Sequence, residues 1–110
     1  MRLKVSPAGA VTQATSKSTA VTVDARCGVI TMNNASLGAT TSVSFTVNCA
    51  AVDADDTVVV NIASVGTSAS YTLNVDAVAA GSFRLHLRNV TAGALVEALV
   101  LNYSVINNFA

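Results

Sequence analysis

Hydrophobic and polar residues alternate with a period of two in residues 41–49, 71–77 and 83–88. In the first of these stretches the apolar positions are Val43, Phe45, Val47 and Cys49, with serine, threonine and asparagine between them. Because successive side chains of a strand point to opposite faces of its sheet, this alternation predicts three strands that each bury one face.

Four further strands are predicted from β-branched or apolar content, at residues 19–23, 28–32, 57–62 and 95–106. The run 57–62 is almost continuously β-branched, which predicts a strand buried on both faces. The segment 95–106 starts with good helix formers, so a helix is the alternative there. Its valines and the turn at Gly93 favour a long closing strand.

Seven to eight short strands separated by turn signals predict a single all-β domain, a β-sandwich of antiparallel strands. Jelly-roll and immunoglobulin-like topologies both fit this pattern. Residues 1–18 have little periodicity and contain Pro7 and Gly9. We therefore expect an extended N-terminal arm over residues 1–18, followed by a sandwich domain over residues 19–110.

Charged residues are scarce in this chain, at 11% of the sequence, while 52% is hydrophobic and the formal net charge is zero. An ordinary soluble domain carries about 25% charged residues. A neutral, charge-poor surface favours association with protein neighbours. The neutral balance also argues against a dedicated nucleic-acid binder, which is usually strongly basic.

The few charges are concentrated in the arm, in the loop 53–56 and in one stripe. Alternation places Arg84, His86 and Arg88 on the polar face of one strand. We expect this stripe, together with Arg2 and Lys4 of the arm, to contact an acidic partner surface. The alternative for the stripe is a solvated strand face.

The residues that carry catalytic or metal chemistry are too few for us to expect an enzyme, a metal site or a cofactor. His86 is the only histidine. Ser82 and Asp76 could join it in a serine–histidine–acid set, but no nucleophile-elbow motif surrounds any serine. The acidic loop 53–56 lacks the glycine and closing glutamate of a calcium loop.

Cys27 and Cys49 are too few for a disulfide framework, and we expect two reduced thiols, with a disulfide across a hairpin as the alternative. The basic start of the chain is not followed by the apolar region of a signal peptide. No apolar run approaches the roughly 18 residues of a membrane span. The expectation is synthesis in the cytoplasm and no membrane partner.

Several short strings are more distinctive than the alternation itself. They are residues 12–22, 27–33, 44–48, 59–61, 80–83, 88–90 and 97–103. Together they resemble a group of short, all-β structural proteins of tailed bacteriophages, over residues 11–106.

The resemblance implies a virion component, most directly a capsid decoration (cement) protein that binds the outer face of the major capsid shell and stabilises it. It also implies a homo-oligomer, often a trimer, on the capsid surface. The alternative within the same group is a head- or tail-fibre module that binds a host receptor or glycan. The resemblance brings no active-site residues, and it does not cover the first ten residues.

Overall fold

A computed structural model describes residues 9–106 of the chain, and none of these residues is helical. The described part contains eight strands, which we number in chain order. They are β1 (Gly9–Thr12), β2 (Val21–Thr22), β3 (Cys27–Thr31), β4 (Ser42–Asn48), β5 (Thr57–Ser64), β6 (Tyr71–Ala79), β7 (Ser82–Asn89) and β8 (Val100–Ile106).

The strands form two four-stranded sheets that pack together. Sheet A has the order β1-β3-β8-β5 and sheet B the order β2-β4-β7-β6. The expected all-β architecture of two packed sheets is thus confirmed. The expectation of purely antiparallel strands is wrong, because β1 pairs with β3 and β2 pairs with β4 in parallel.

The core lies between the sheets and is filled by the apolar positions of the alternating strands. Phe45, Leu85 and Leu87 enter it from sheet B, and Ile30 and Leu101 enter it from sheet A. The rings of Phe83 and Tyr103 meet across the core with centroids 5.7 Å apart. Burying each such side chain contributes about 1.5–3 kcal/mol, so the alternation of β4, β7 and β8 supplies much of the stability.

Residues 9–18 differ from the expected extended arm. Residues 9–12 form β1, Val11 packs against the core, and the side chains of Gln13 and Lys17 are buried. A Cβ atom on Gly28 would lie 2.6 Å from the carbonyl oxygen of Gly9. The glycine at position 28 therefore lets β1 approach β3, a long-range effect that local periodicity does not contain. Residues 1–8 lie outside the described part.

Two other strand predictions need correction. Strand β5 buries only one face, since Val58 is buried and Val59 is 49% exposed. The closing strand starts at Val100 instead of Leu95, and Leu95 forms only an isolated bridge with Leu37. For β5, the β-branched residues follow the strand preference, while their burial is set by which neighbour covers them. For β8, the β-branched Val96 lies outside the strand, so residue preference alone does not fix where the strand begins.

The alternative of two cysteines facing each other across a hairpin is wrong. Cys27 lies on β3 of sheet A, whereas Cys49 follows β4 of sheet B. Neither forms a disulfide bond. The Cys49 thiol donates a hydrogen bond to the carbonyl oxygen of Ala25, at 3.3 Å.

All four edge strands of the two sheets are short or irregular. Strand β1 has four residues and β2 has two. The register of β5 shifts between Ile62 and Ser64, and that of β6 shifts between Asp76 and Ala79. Ala77, inside the second shift, has a φ of 53°. Such bulges bend and twist a strand locally.

Candidate interaction surface

The outer face of sheet B carries the stripe that the sequence predicted. Along β7, Arg84 and Arg88 are exposed and His86 is half-buried, while the residues between them point into the core. The cross-strand neighbours of the stripe on β4 are Ser42, Ser44 and Thr46, and those on β6 are Thr72, Asn74 and Asp76. The common orientation of Arg84, His86 and Arg88 is thus confirmed.

Asp76 joins two members of the stripe. Its Oδ1 atom accepts hydrogen bonds from His86 Nε2 at 2.9 Å and from Arg84 Nε at 3.3 Å. The hydrogen bond from His86 is the main reason that the pKa of Asp76 lies below its ordinary value, and Arg84 adds to the effect. The guanidinium of Arg88 forms no hydrogen bond or ion pair with other described residues. Its guanidinium is therefore the most available cation of the stripe.

The suggested serine–histidine–acid set is only partly assembled. His86 and Asp76 are hydrogen-bonded, but Ser82 lies four residues from His86 on the same strand. At about 3.3 Å per residue this places Ser82 roughly 13 Å away along β7. A nucleophile must lie within hydrogen-bond reach of its base, so Ser82 does not serve His86.

A second ionic group, which the sequence did not reveal, lies where β1, β3, β5 and β7 end. We call this end of the sandwich the distal end, formed by residues 13–20, 32–41, 65–70 and 90–99. The ammonium group of Lys17 donates to the carbonyl oxygens of Asn33 and, at 2.6 Å, of Glu97. Lys17 is only 3% exposed. Burial lowers its pKa, and the charge of Glu97 opposes this shift.

Gln13 holds the loop that brings Lys17 to this position. Its amide nitrogen donates to the carbonyl oxygens of Lys17 and Thr19, at 2.9 and 3.1 Å. Its amide oxygen accepts from the backbone of Asn33 at 3.0 Å. One buried side chain thus ties the loop to the segment that follows β3, and the loop brings Lys17 to the carbonyl oxygens of Asn33 and Glu97.

The Glu97 carboxylate is fully engaged by its neighbours. It accepts hydrogen bonds from the hydroxyl of Tyr71 at 2.6 Å and from the backbone and hydroxyl of Thr67, both at 3.1 Å. The Tyr71 and Thr67 bonds lower the pKa of Glu97. Burial is the main reason that the pKa of Tyr71 lies above its ordinary value, and the hydrogen bond to Glu97 and the charge of Glu97 raise it further. The network fixes the loop 65–70 against the segment before β8.

The other charged residues singled out from the sequence are Arg2, Lys4 and the aspartates of the loop 53–56. Arg2 and Lys4 lie outside the described residues. In the acidic loop, Asp53 and Asp55 are exposed and Asp56 is buried, its carboxylate accepting from the backbone of Asp53 at 2.9 Å. Residues 9–106 contain no group of three potential metal ligands and no ligand-sized pocket. No helix in this part is suited to crossing a membrane.

Comparison with known proteins gives no relative: no family model, curated protein or solved structure matches the chain.

Proposed function

We propose that the chain is a virion structural protein of a tailed bacteriophage, a capsid decoration protein that binds the outer face of the major capsid shell and stabilises it. The observation that carries the proposal is the outer face of sheet B, where Arg84, His86 and Arg88 stand in line. Such a face fits an extended acidic surface of a large assembly. The resemblance of residues 11–106 to phage structural proteins also supports a virion structural role.

In this role the protein works by binding and performs no catalytic step. The serine and threonine hydroxyls beside the stripe can both donate and accept hydrogen bonds. Their desolvation on binding costs less free energy than that of a lysine or glutamate side chain. Arg88 supplies a charge with no competing partner among the described residues. Arg2 and Lys4, which lie outside the described residues, add two further cations for binding the shell, and several copies act together on it.

For the finer topology we propose a jelly-roll-like sandwich. Consecutive strands change sheet at every step except β6 to β7. An immunoglobulin-like domain has neighbouring consecutive strands within both of its sheets, the D–E and F–G pairs. The near-continuous alternation between sheets supports the jelly-roll type, which occurs in viral capsid proteins, while the parallel pairs β1–β3 and β2–β4 depart from its antiparallel pattern.

The test is binding to phage capsids assembled without this protein, measured as occupancy against concentration. Arg88→Gln removes one cation from the stripe, and we expect about three- to tenfold weaker binding. Arg26→Gln is the matched control, since Arg26 is also exposed but precedes β3 at the opposite end from the Lys17 group. Equal weakening by both variants would mean a general charge effect and would remove the stripe from the contact.

Deletion of residues 1–8 tests the basic residues Arg2 and Lys4. The deletion stops before Gly9 so that the described residues of β1, Gly9–Thr12, are kept. Weaker capsid occupancy with an unchanged melting temperature supports a role of these residues in the contact. Unchanged occupancy removes that role. Binding to host cells, with no binding to capsids, would favour the fibre-module alternative and overturn the decoration role.

A further inference from the structure

Exposed charges and exposed large apolar side chains occupy different parts of the molecule. Within the described residues, the exposed charged side chains lie on the outer face of sheet B or in the loops opposite the distal end. They are Asp24, Arg26, Asp53, Asp55, Asp76, Arg84 and Arg88. The exposed large apolar side chains lie on the outer face of sheet A or at the distal end. They are Val29, Val59, Val65, Val90, Val96 and Ile106.

Among residues 9–106, no charged side chain lies on the outer face of sheet A. Its outward positions, taken from the alternation of burial in each strand, are Ala10 and Thr12 on β1; Cys27, Val29 and Thr31 on β3; Val100, Asn102, Ser104 and Ile106 on β8; and Thr57, Val59 and Asn61 on β5. Cross-strand register places Asn61, Asn102, Val29 and Ala10 in one row. The distal end continues this surface without free charge, because Lys17 and Glu97 are bonded within the fold.

We infer that the outer face of sheet A is the surface through which copies of this chain contact one another. When the same face of two copies meets, each group near the symmetry axis approaches its own duplicate. Arginine and aspartate repel their duplicates, whereas hydroxyls and amides are donors and acceptors at once and can pair with theirs. Sheet A presents only the self-compatible kind of polar group, with Val59 and Ile106, 49% and 50% exposed, between them.

The size of the face suits this occupant. The four strands lie about 4.8 Å apart, are four to eight residues long, and together cover roughly 400 Å² in projection. A stable interface buries about 800 Å² of accessible surface per partner. The surface of the side chains on these strands and of the adjoining exposed Val65 and Val96 adds to the projected area and brings the buried surface closer to that value. The inference deepens the proposed assembly of several copies. It does not involve the sheet B contact with the shell.

The experiment compares two isosteric substitutions on opposite faces of the sandwich. Asn102→Asp adds one carboxylate to the middle of the outer face of sheet A, and Asn74→Asp adds the same group to the outer face of sheet B beside His86. Mass is measured by light scattering and analytical ultracentrifugation over about 1 µM to 1 mM protein. Circular dichroism and melting temperatures verify that both variants fold.

We expect the unmodified chain to form a dimer of two 11.1 kDa chains, because a face that meets its own duplicate makes a two-fold contact. Asn102→Asp should raise the dissociation constant about 100-fold or more, because each interface then buries unpaired carboxylates. Asn74→Asp should leave the dissociation constant within about threefold. A monomeric unmodified chain, an Asn102→Asp variant that stays assembled, or dissociation caused by Asn74→Asp instead would each overturn the inference. Assembly without capsid binding would leave the inference intact and defeat only the proposed function.

Discussion

The two ionic groups of this protein show how position decides what a charge does. At the distal end, Lys17 is buried and bonded to two backbone carbonyls, and Glu97 is held by Tyr71 and Thr67. On sheet B, Asp76 meets Arg84 and His86 in the open, with side chains 35–52% exposed. Exposed pairs contribute little to stability, whereas a buried polar group left without a partner costs much more. The distal group therefore serves the fold, and the sheet B group is available for binding.

The largest expected effect is that of Lys17→Met. The substitution keeps the apolar stem but leaves the carbonyl oxygens of Asn33 and Glu97 without their donor. We expect the free energy of unfolding, measured by urea denaturation, to fall by about 2–4 kcal/mol. Arg88→Met makes the same kind of change on sheet B and should stay within about 0.5 kcal/mol. An equal fall in the free energy of unfolding for both variants would contradict the different roles of the two groups.

Next in size is Tyr71→Phe, which removes one donor from the Glu97 carboxylate. We expect a loss of about 1 kcal/mol in the same assay, because the bond is charge-assisted but only partly buried. Thr72→Val, at the neighbouring exposed position of β6, is the control and should lose less. A stable Tyr71→Phe protein would show that Thr67 alone holds the carboxylate.

The same pair predicts a pH dependence. The folded pKa of Glu97 is lowered from 4.5, so its contribution is present above pH 4.5 and lost as the pH falls further. The folded pKa of Tyr71 is raised from 10.0, so its contribution is present below pH 10 and lost as the pH rises. The stability gap between the unmodified chain and Tyr71→Phe should be widest between these limits. A constant gap from pH 3 to 11 would contradict this assignment.

A gain of stability is expected at Val65, beside the distal group. Val65 has a φ of 54°, in the left-handed region that β-branched residues avoid. Val65→Asn should raise the free energy of unfolding by about 0.5–1 kcal/mol, since asparagine tolerates this conformation. Val90→Asn is the control at an exposed valine of the same end with no positive φ, and it should bring no gain.

The smallest effect is expected for Asp76→Asn. The carboxylate is exposed, and its bonds to Arg84 and His86 compete with water. The unfolding midpoint should therefore change least among these variants at neutral pH. Because the pKa of Asp76 is lowered in the folded state, any contribution is present above its ordinary value of 3.8 and lost below it. A large loss at pH 7 would show that the sheet B group also serves the fold.

The sequence predicts what depends on neighbours in the chain. Alternation around Phe45 and Leu85 places β4 and β7 and gives the direction of the Arg84–His86–Arg88 stripe. It does not predict the Lys17 group, because the partners of Lys17 are carbonyl oxygens 16 and 80 residues away. It also assigns residues 9–12 to an arm, since their place in sheet A depends on contact with Gly28.

The irregular edge strands have a consequence for how copies can grow together. A long, regular edge offers free N–H and C=O groups to a strand of another copy, and repeated addition leads to fibrils. Within residues 9–106, β1 and β2 are short, and the irregularities of β5 and β6 limit their regular stretches to Thr57–Ile62 and Tyr71–Asp76. Long edge-to-edge pairing between copies of this charge-poor chain, and with it amyloid-like growth, is therefore disfavoured at the described edges.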